Sequence, residues 1–118
     1  GTLSERQRVF TKNIAKLIDY AYQNNYGLTF GHAWRSKEEQ RRLVNTGKSQ
    51  TMNSNHQNRL AVDFNVFKNG KLTWNWEDIK PLGDYWETLH PKNRWGGDWN
   101  KNDKKDGFID APHFEMQP

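Results

Sequence analysis

The pattern of apolar positions near the start of the chain predicts an amphipathic helix over residues 4–24. Apolar side chains recur there every three or four residues, which is the spacing of one helix face. Ser4 and Gln7 match a capping box at its first turn. Gly27 is expected to end the helix, because glycine is common just past a helix terminus. The face predicted to enter the core contains Phe10, Ile14, Leu17, Ile18 and Ala21.

The next pattern predicts a short strand, a second helix and a polar loop. Residues 28–34 have the composition of a strand, and Ser36 begins a helix that runs to about Asn45 and is closed by Gly47. Residues 48–59 are polar and show no periodicity, so they predict a loop. Loops of this kind often contain functional residues.

Alternation predicts a half-buried strand over residues 60–67, with Ala61, Asp63, Asn65 and Phe67 on the side away from the main core. Asp63 falls on the polar side of this strand and is expected to point away from the main core. Asn69-Gly70 is a strong two-residue hairpin signal and predicts a partner strand over residues 71–74. The side predicted to be buried contains Leu60, Val62, Phe64 and Val66.

The remaining pattern predicts one more helix and a short apolar ending. Residues 76–90 have a helical apolar face and stop before Pro91, whereas the chain beyond is rich in Gly, Asn and Asp until residues 108–116. The order helix, strand, helix, hairpin, helix, strand predicts an α+β fold, with a mainly antiparallel sheet packed against helices. We expect residues 1–118 to form a single domain.

Composition supports a small polar domain that needs an additional source of stability. The chain has 118 residues, 33% hydrophobic residues, no cysteine and a formal net charge of +4. A domain of this size is marginally stable. Because the chain has no cysteine to form a disulfide, a bound metal ion could supply the additional stability. The sequence shows neither an apolar stretch long enough to cross a membrane nor the apolar core of a signal peptide. The basic charge fits an anionic partner, but no recognisable nucleic-acid-binding module is present, so we expect no nucleic-acid partner.

Two sequence patterns contain candidate metal and acid–base residues. Without cysteine, a zinc site must use histidine and carboxylate ligands, and a catalytic site needs three of them. His56 lies in the polar loop shortly before Asp63, so the loop and the strand could bring both side chains to one ion. Near the end of the chain, Asp110 precedes His113 by three residues. Pro112 disfavours helical geometry at the residue before it and so predicts an extended backbone leading to His113. Asp110 and His113 are therefore not expected to be neighbours on an exposed helix.

Other candidates are weaker. Glu87 and His90 repeat the same acid-to-histidine spacing, but they fall at a helix end, where a solvated acid–base pair is the simpler interpretation. Residues 98–110 contain several Asp and Asn residues, yet the intervening lysines do not fit a calcium loop, and we expect a flexible solvated loop. His32 alternates with Phe30 on a predicted strand and is not expected to be a ligand.

Four motifs, taken in order, resemble a known family. The segment from Ser54 to Asp63 reads S-N-H-Q-N-R-L-A-V-D and closely resembles the S-x-H-x-x-x-x-A-x-D motif of the zinc D-alanyl-D-alanine and L-alanyl-D-glutamate peptidases, which include phage endolysins. The segment from Asp110 to Glu115 resembles the acid-x-x-His element of that family. Residues 33–36 with 39–40 resemble its upstream Y-R-S-x-x-x-Q segment, and residues 95–99 resemble its W-G-G-D-W run.

This resemblance implies a set of site residues. His56, Asp63 and His113 would bind one zinc ion on the sheet, Asp110 would be the base that activates water, and Arg35 would stabilise the oxyanion. Two neutral imidazoles and one carboxylate would leave a net positive site for that oxyanion. Asp110 stands where some relatives have Glu.

The resemblance also implies a phage-type endolysin that cuts peptidoglycan stem peptides, most simply at the L-alanyl-D-glutamate bond. The expected protein is a monomer without a leader, made in the bacterial cytoplasm and acting on the cell wall. A D-alanyl-D-alanine carboxypeptidase stays open, with Arg59 as a candidate cation where the family commonly has Gly. A zinc-stabilised wall-binding domain without turnover also stays open. Ser54 is expected to orient the loop, and Trp95 and Trp99 to pack in the core or at the rim.

Overall fold

The protein is an α+β fold, as the sequence predicts. The computed structural model describes residues 1–31, 37–45, 55–105, 107 and 109–118. Its helices are α1 (Leu3–Gln23), α2 (Lys37–Asn45) and α3 (Trp76–Thr88). Its strands are β1 (Tyr26–Phe30), β2 (Ala61–Lys68), β3 (Lys71–Thr73), β4 (Asn93–Trp95) and β5 (His113–Met116). The predicted strand residues 32–34, the helix start at Ser36, the helix end at Gly47 and Phe108 lie outside the described residues.

The five strands form one antiparallel sheet in the order β1-β2-β5-β4, and β3 also pairs with β2. The predicted hairpin is present, with Asn69 and Gly70 at φ 52° and 81° between β2 and β3. Positive φ at both turn residues is the geometry that the Asn-Gly signal favours. The central strand β2 therefore contacts both β1 and β5, which places its first residues in the middle of the sheet.

One face of the sheet is covered by helices. Leu60, Val62, Phe64 and Val66 are all at most 3% exposed, which confirms the predicted alternation along β2. Residues from α1 and α3 complete this core, including Leu17, Ile79, Leu82 and Trp86. Because neighbouring strand residues point to opposite faces, Asp63 lies on the other face, as predicted.

The first helix begins and ends differently from its prediction. Its N-cap is Thr2, and Thr2 and Glu5 form the capping box, so the Ser4–Gln7 assignment is wrong. Both pairs have the same spacing, and the chain uses the earlier one, so the helix begins one residue before its predicted start. Gly27 does not end the helix but lies inside β1, while Asn25 adopts the left-handed conformation at φ 66°. Asn tolerates that conformation better than most residues.

The structure also contains a strand that the sequence patterns did not predict. The strand β4 has only three residues and lies in a region rich in Gly and Asn, too short to show alternation. It pairs with β5 and brings Trp95 into the core, fully buried. Within the described residues, no helix is long and apolar enough to cross a lipid bilayer.

Candidate active site

Two neighbouring strands and the turn before them bring His56, Asp63 and His113 together. His56 lies in the turn at residues 55–59 that leads into β2, and it is 1% exposed. Asp63 on β2 and His113 on β5 are directly opposite each other in the antiparallel register. Cross-strand partners project to the same face, so the sheet register itself places these two side chains side by side.

The three side chains present one ligand atom each to a common point. The Nε2 atom of His56 lies 3.1 Å from Nδ1 of His113, and Oδ1 of Asp63 lies 3.0 Å from that Nδ1 and 3.3 Å from His56 Nε2. Ligands about 2.0–2.1 Å from a tetrahedral zinc ion are about 3.4 Å apart. Two imidazole nitrogens and one carboxylate oxygen are also a typical donor set for zinc. The group therefore has the size and chemistry to hold a metal ion, and three ligands leave a fourth position for water or substrate.

The charges in this group are strongly coupled. Burial alone raises the pKa of the Asp63 carboxyl, but hydrogen bonds and charge from His113 and His56 outweigh burial and hold that pKa well below its usual range. Burial lowers the pKa of His113, but the carboxylates of Asp63 and Glu115 outweigh it and raise the pKa to about 9. These carboxylates favour the protonated form of His113, so a metal ion that binds its Nδ1 would have to displace a proton.

A partly buried ion pair between Glu115 and Arg94 lies next to His113, and no sequence pattern predicted a role for it. Oε1 of Glu115 lies 2.8 Å from Nε2 of His113, and Oε2 accepts hydrogen bonds from Arg94 at 2.8 and 3.2 Å. Glu115 is 4% exposed. Burial raises the pKa of Glu115, but His113 and Arg94 outweigh it and keep the pKa below its ordinary value. The two-residue period of a strand could have indicated this contact, because Glu115 follows His113 by two residues and so lies on the same face.

The Trp99 ring packs against both His113 and Arg94. Its ring centroid lies 5.2 Å from the His113 ring, and the Arg94 guanidinium lies 4.7 Å from the Trp99 ring. Trp95, by contrast, is a core residue whose indole nitrogen donates to the Ala111 carbonyl at 2.7 Å. The two tryptophans of the W-G-G-D-W run therefore have different surroundings, and both pack as predicted.

Asp110 begins the turn that leads into His113. The N–H of His113 donates to the Asp110 carbonyl at 3.0 Å, and the N–H of Asp110 donates to the Gly96 carbonyl at 2.8 Å. The chain forms a turn here and not the extended approach expected from Pro112, although the pair is not helical, as expected. The Pro112 carbonyl accepts a hydrogen bond from the N–H of Phe64 at 3.0 Å. Asp110 does not belong to the three-ligand group itself. It is partly exposed and lines an open cavity of about 290 Å³ with Trp74 and other residues.

The two glycines of the W-G-G-D-W run allow close approach. A Cβ atom on Gly96 would lie 2.2 Å from the Asp110 carbonyl oxygen and 2.9 Å from the His113 Cβ. A Cβ atom on Gly97 would lie 2.2 Å from the Trp95 ring. The two glycines lie at the centre of a tight turn, in which the N–H of Asp98 donates to the Trp95 carbonyl at 3.0 Å, and neither glycine adopts a positive φ. The missing side chain is what these positions require.

Several predicted residues lie outside the described part of the chain. These are Arg35, the candidate oxyanion cation, Ser54 of the first motif, and His32. Arg59 is described, and it adopts a left-handed backbone at φ 56° in the turn that follows His56. This is the position where the resembling family commonly has Gly, and a non-glycine residue costs about 1–2 kcal/mol in that conformation.

The competing candidates have structural partners. Glu87 accepts a hydrogen bond from the N–H of Trp95 at 3.2 Å, so it holds the last residue of β4, and burial raises the pKa of Glu87. His90 accepts from the N–H of Lys92 at 3.0 Å. Asp98 is 4% exposed and accepts from two backbone N–H groups of the following loop, so the beginning of that loop is organised around a buried carboxylate rather than open to solvent.

The phage L-alanyl-D-glutamate peptidase family matches residues 4–117. The L-alanyl-D-glutamate peptidase of Listeria phage A118 is 33% identical over 102 residues, which cover 86% of this chain and 34% of that protein. The chain thus spans about a third of the length of this relative.

Two solved structures share the fold. The L-Ala D-Glu endopeptidase ChiX of Serratia marcescens superposes with a TM-score of 0.71 at 24% identity, covering 97% of this chain and 85% of that one. A variant of the vancomycin resistance D,D-pentapeptidase VanY in complex with Zn(II) gives a TM-score of 0.59 at 16% identity, covering 91% and 70%. Both confirm the predicted fold class, and the family match across nearly the whole chain confirms the resemblance seen in the motifs. The chain belongs to the family of phage L-alanyl-D-glutamate peptidases.

Proposed function

We propose that this chain is a zinc-dependent endopeptidase that hydrolyses the L-alanyl-D-glutamate bond of peptidoglycan stem peptides. The observation that carries the proposal is the group formed by His56, Asp63 and His113, whose ligand atoms are 3.0–3.3 Å apart. Family membership supports the reaction class and the bond. The Zn(II) in the VanY structure supports zinc as the metal, because that protein shares the fold.

His56, Asp63 and His113 would hold the ion. A zinc ion with an open position lowers the pKa of a water molecule toward neutrality and polarises a carbonyl group. Asp110 is proposed as the general base, which takes a proton from the attacking water and passes it to the leaving amine. Arg35 is proposed to stabilise the negative charge that develops on the carbonyl oxygen.

The position of Asp110 supports its role. The β-turn from Asp110 to His113 ties the proposed base to a proposed metal ligand by one backbone hydrogen bond of 3.0 Å. The same carboxylate-bearing residue borders the open cavity that includes Trp74 and Trp76, which gives a substrate room beside the base. Asp110 thus lies in the same turn as a proposed ligand and lines a cavity, which supports a role in hydrolysis.

The proposed place of action is the bacterial cell wall, where the substrate is found. A monomeric state and synthesis in the cytoplasm stay predictions.

Mass spectrometry of purified peptidoglycan tests the proposal. The protein is incubated with the substrate alone, with a chelator, and with the chelator followed by zinc. We expect a new free amino terminus on D-glutamate that disappears on chelation and returns with zinc. The variant His56→Ala, prepared in the same way, controls for contaminating peptidases.

The other outcomes are equally informative. Loss of a single D-alanine from the stem peptide would overturn the proposed bond and select the D,D-carboxypeptidase. No change in mass despite bound zinc would overturn the enzyme and select a wall-binding domain.

A further inference from the structure

We propose that Glu115 and Arg94 are positioning residues, which hold the proton of His113 on Nε2 so that Nδ1 is left free to bind the metal. This inference rests on the proposed zinc site and deepens it. A neutral imidazole binds a metal through one nitrogen only, and the partner of the other nitrogen decides which one. In the structure, Nδ1 of His113 faces the other two proposed ligands, Asp63 and His56, whereas Nε2 faces Glu115.

The contacts of His113 divide cleanly between its two nitrogens. Nδ1 lies 3.0 Å from the Asp63 carboxylate and 3.1 Å from His56, whereas Nε2 lies 2.8 Å from Oε1 of Glu115. An ionised carboxylate can only accept a hydrogen bond. Nε2 must therefore carry a proton, and in the neutral ring Nδ1 then carries none.

Arg94 fixes which oxygen of Glu115 faces His113. Both Nε and Nη2 of Arg94 donate to Oε2, at 3.2 and 2.8 Å, and this leaves Oε1 for His113. The register places Arg94 directly opposite Glu115 on the neighbouring strand. The guanidinium also lies 4.7 Å from the Trp99 ring, which in turn contacts His113. Because each oxygen of Glu115 has its own partner, these contacts hold the carboxylate in one orientation.

This arrangement predicts a specific failure of Glu115→Gln. Arginine is a donor at every nitrogen, so Arg94 will take the amide oxygen of the new side chain. The amide NH₂ group then faces Nε2 of His113, and two donors cannot share that contact. The ring must move its proton to Nδ1 and so lose the atom that binds the metal. We expect zinc affinity to fall about 10- to 100-fold.

A second substitution should restore the binding. In the double variant Arg94→Met with Glu115→Gln, nothing holds the amide oxygen away from His113, so the amide can turn and accept the Nε2 proton. We expect the zinc affinity of the double variant to return to within about threefold of Arg94→Met alone. If Glu115 acts only by stabilising the fold, the two changes will add, and the double variant will be the weakest binder.

The experiment measures zinc affinity by competition with a chromophoric chelator for the wild-type chain, the two single variants and the double variant. Glu5→Gln is the control, because it removes the same charge at an exposed capping position where Gln also fits. Nitrogen-15 NMR of the zinc-loaded wild type should show zinc on Nδ1 and a proton on Nε2 of His113. Denaturation of each metal-free variant separates effects on folding from effects on binding.

Two results would overturn this inference and leave the proposed function standing. One is a wild type that binds zinc while Glu115→Gln binds it equally well or is not rescued by Arg94→Met. The other is an NMR spectrum in which zinc lies on Nε2 of His113. A wild type that binds no zinc would overturn the proposed function as well, so the two failures are distinguishable.

Discussion

Substitution of Gly96 by alanine should damage the turn that connects the proposed base to the proposed zinc ligand. The added Cβ atom would lie 2.2 Å from the Asp110 carbonyl oxygen and 2.9 Å from the His113 Cβ. Both are far below the optimum of about 3.5 Å for a non-bonded contact. Neither atom is the end of a flexible side chain, so the backbone of the turn has to move.

The structure gives a magnitude for this effect. Overpacking in a close-packed region costs about 1–3 kcal/mol. The N–H of Gly96 donates to the His113 carbonyl at 2.7 Å, and its carbonyl accepts from the N–H of Asp110 at 2.8 Å. Weakening either bond adds about 1 kcal/mol. We therefore expect Gly96→Ala to lower the free energy of unfolding by about 2–4 kcal/mol and to weaken zinc binding by displacing His113.

Urea denaturation of the metal-free protein measures the first effect, and chelator competition measures the second. Gly27→Ala is the matched control, because its Cβ would meet only the Phe67 Cβ, at an ordinary 3.7 Å. We expect that control to stay within about 0.5 kcal/mol of the wild type. If Gly96→Ala is as stable as Gly27→Ala and binds zinc normally, the reasoning about the turn is refuted.

Four further predictions concern the site. Asp110→Asn should keep zinc and lose nearly all turnover on stem peptides, and near-normal turnover in a direct assay would show that the base is assigned wrongly. His56→Ala should lose the stabilisation by zinc, which for the wild type is about 4 kcal/mol at a free zinc concentration 1,000 times Kd, measured by thermal unfolding. His113 has a pKa of about 9 in the folded metal-free protein against an ordinary 6.5, so its contribution to stability is complete below pH 6.5 and is lost as the pH rises through 9. Zinc affinity should change in the opposite direction and rise with pH over that range, because zinc displaces the His113 proton, and a pH-independent affinity would contradict this assignment.

Much of the fold could be predicted from sequence because its main elements are amphipathic at a clear period. The central strand alternates along most of its length, and its hairpin turn has the Asn-Gly pair that such turns favour. The strand β4 could not be predicted, since three residues are too few to show a period and its stability comes from pairing with β5. The start of α1 was misplaced because two capping boxes with the same spacing overlap at Thr2 and Ser4.

The site was predictable only in part, because some of its contacts join segments that are distant in the sequence. Ligand candidates stand out by residue type, and their motif order indicated the family. The groups that support a ligand do not stand out, because Arg94 and Glu115 resemble any surface pair until the sheet register places them opposite each other behind His113. The close approach of Gly96 to the turn is likewise a property of packing between distant segments, which no local pattern records.

The central claim is that His56, Asp63 and His113 hold the zinc ion that the peptidase uses. The most direct test is a crystal structure of the zinc-loaded protein with anomalous diffraction measured on both sides of the zinc edge. The account predicts one anomalous peak about 2.0–2.1 Å from His56 Nε2, Asp63 Oδ1 and His113 Nδ1. A peak bound by other residues, or no peak in crystals of protein that cleaves stem peptides, would contradict it.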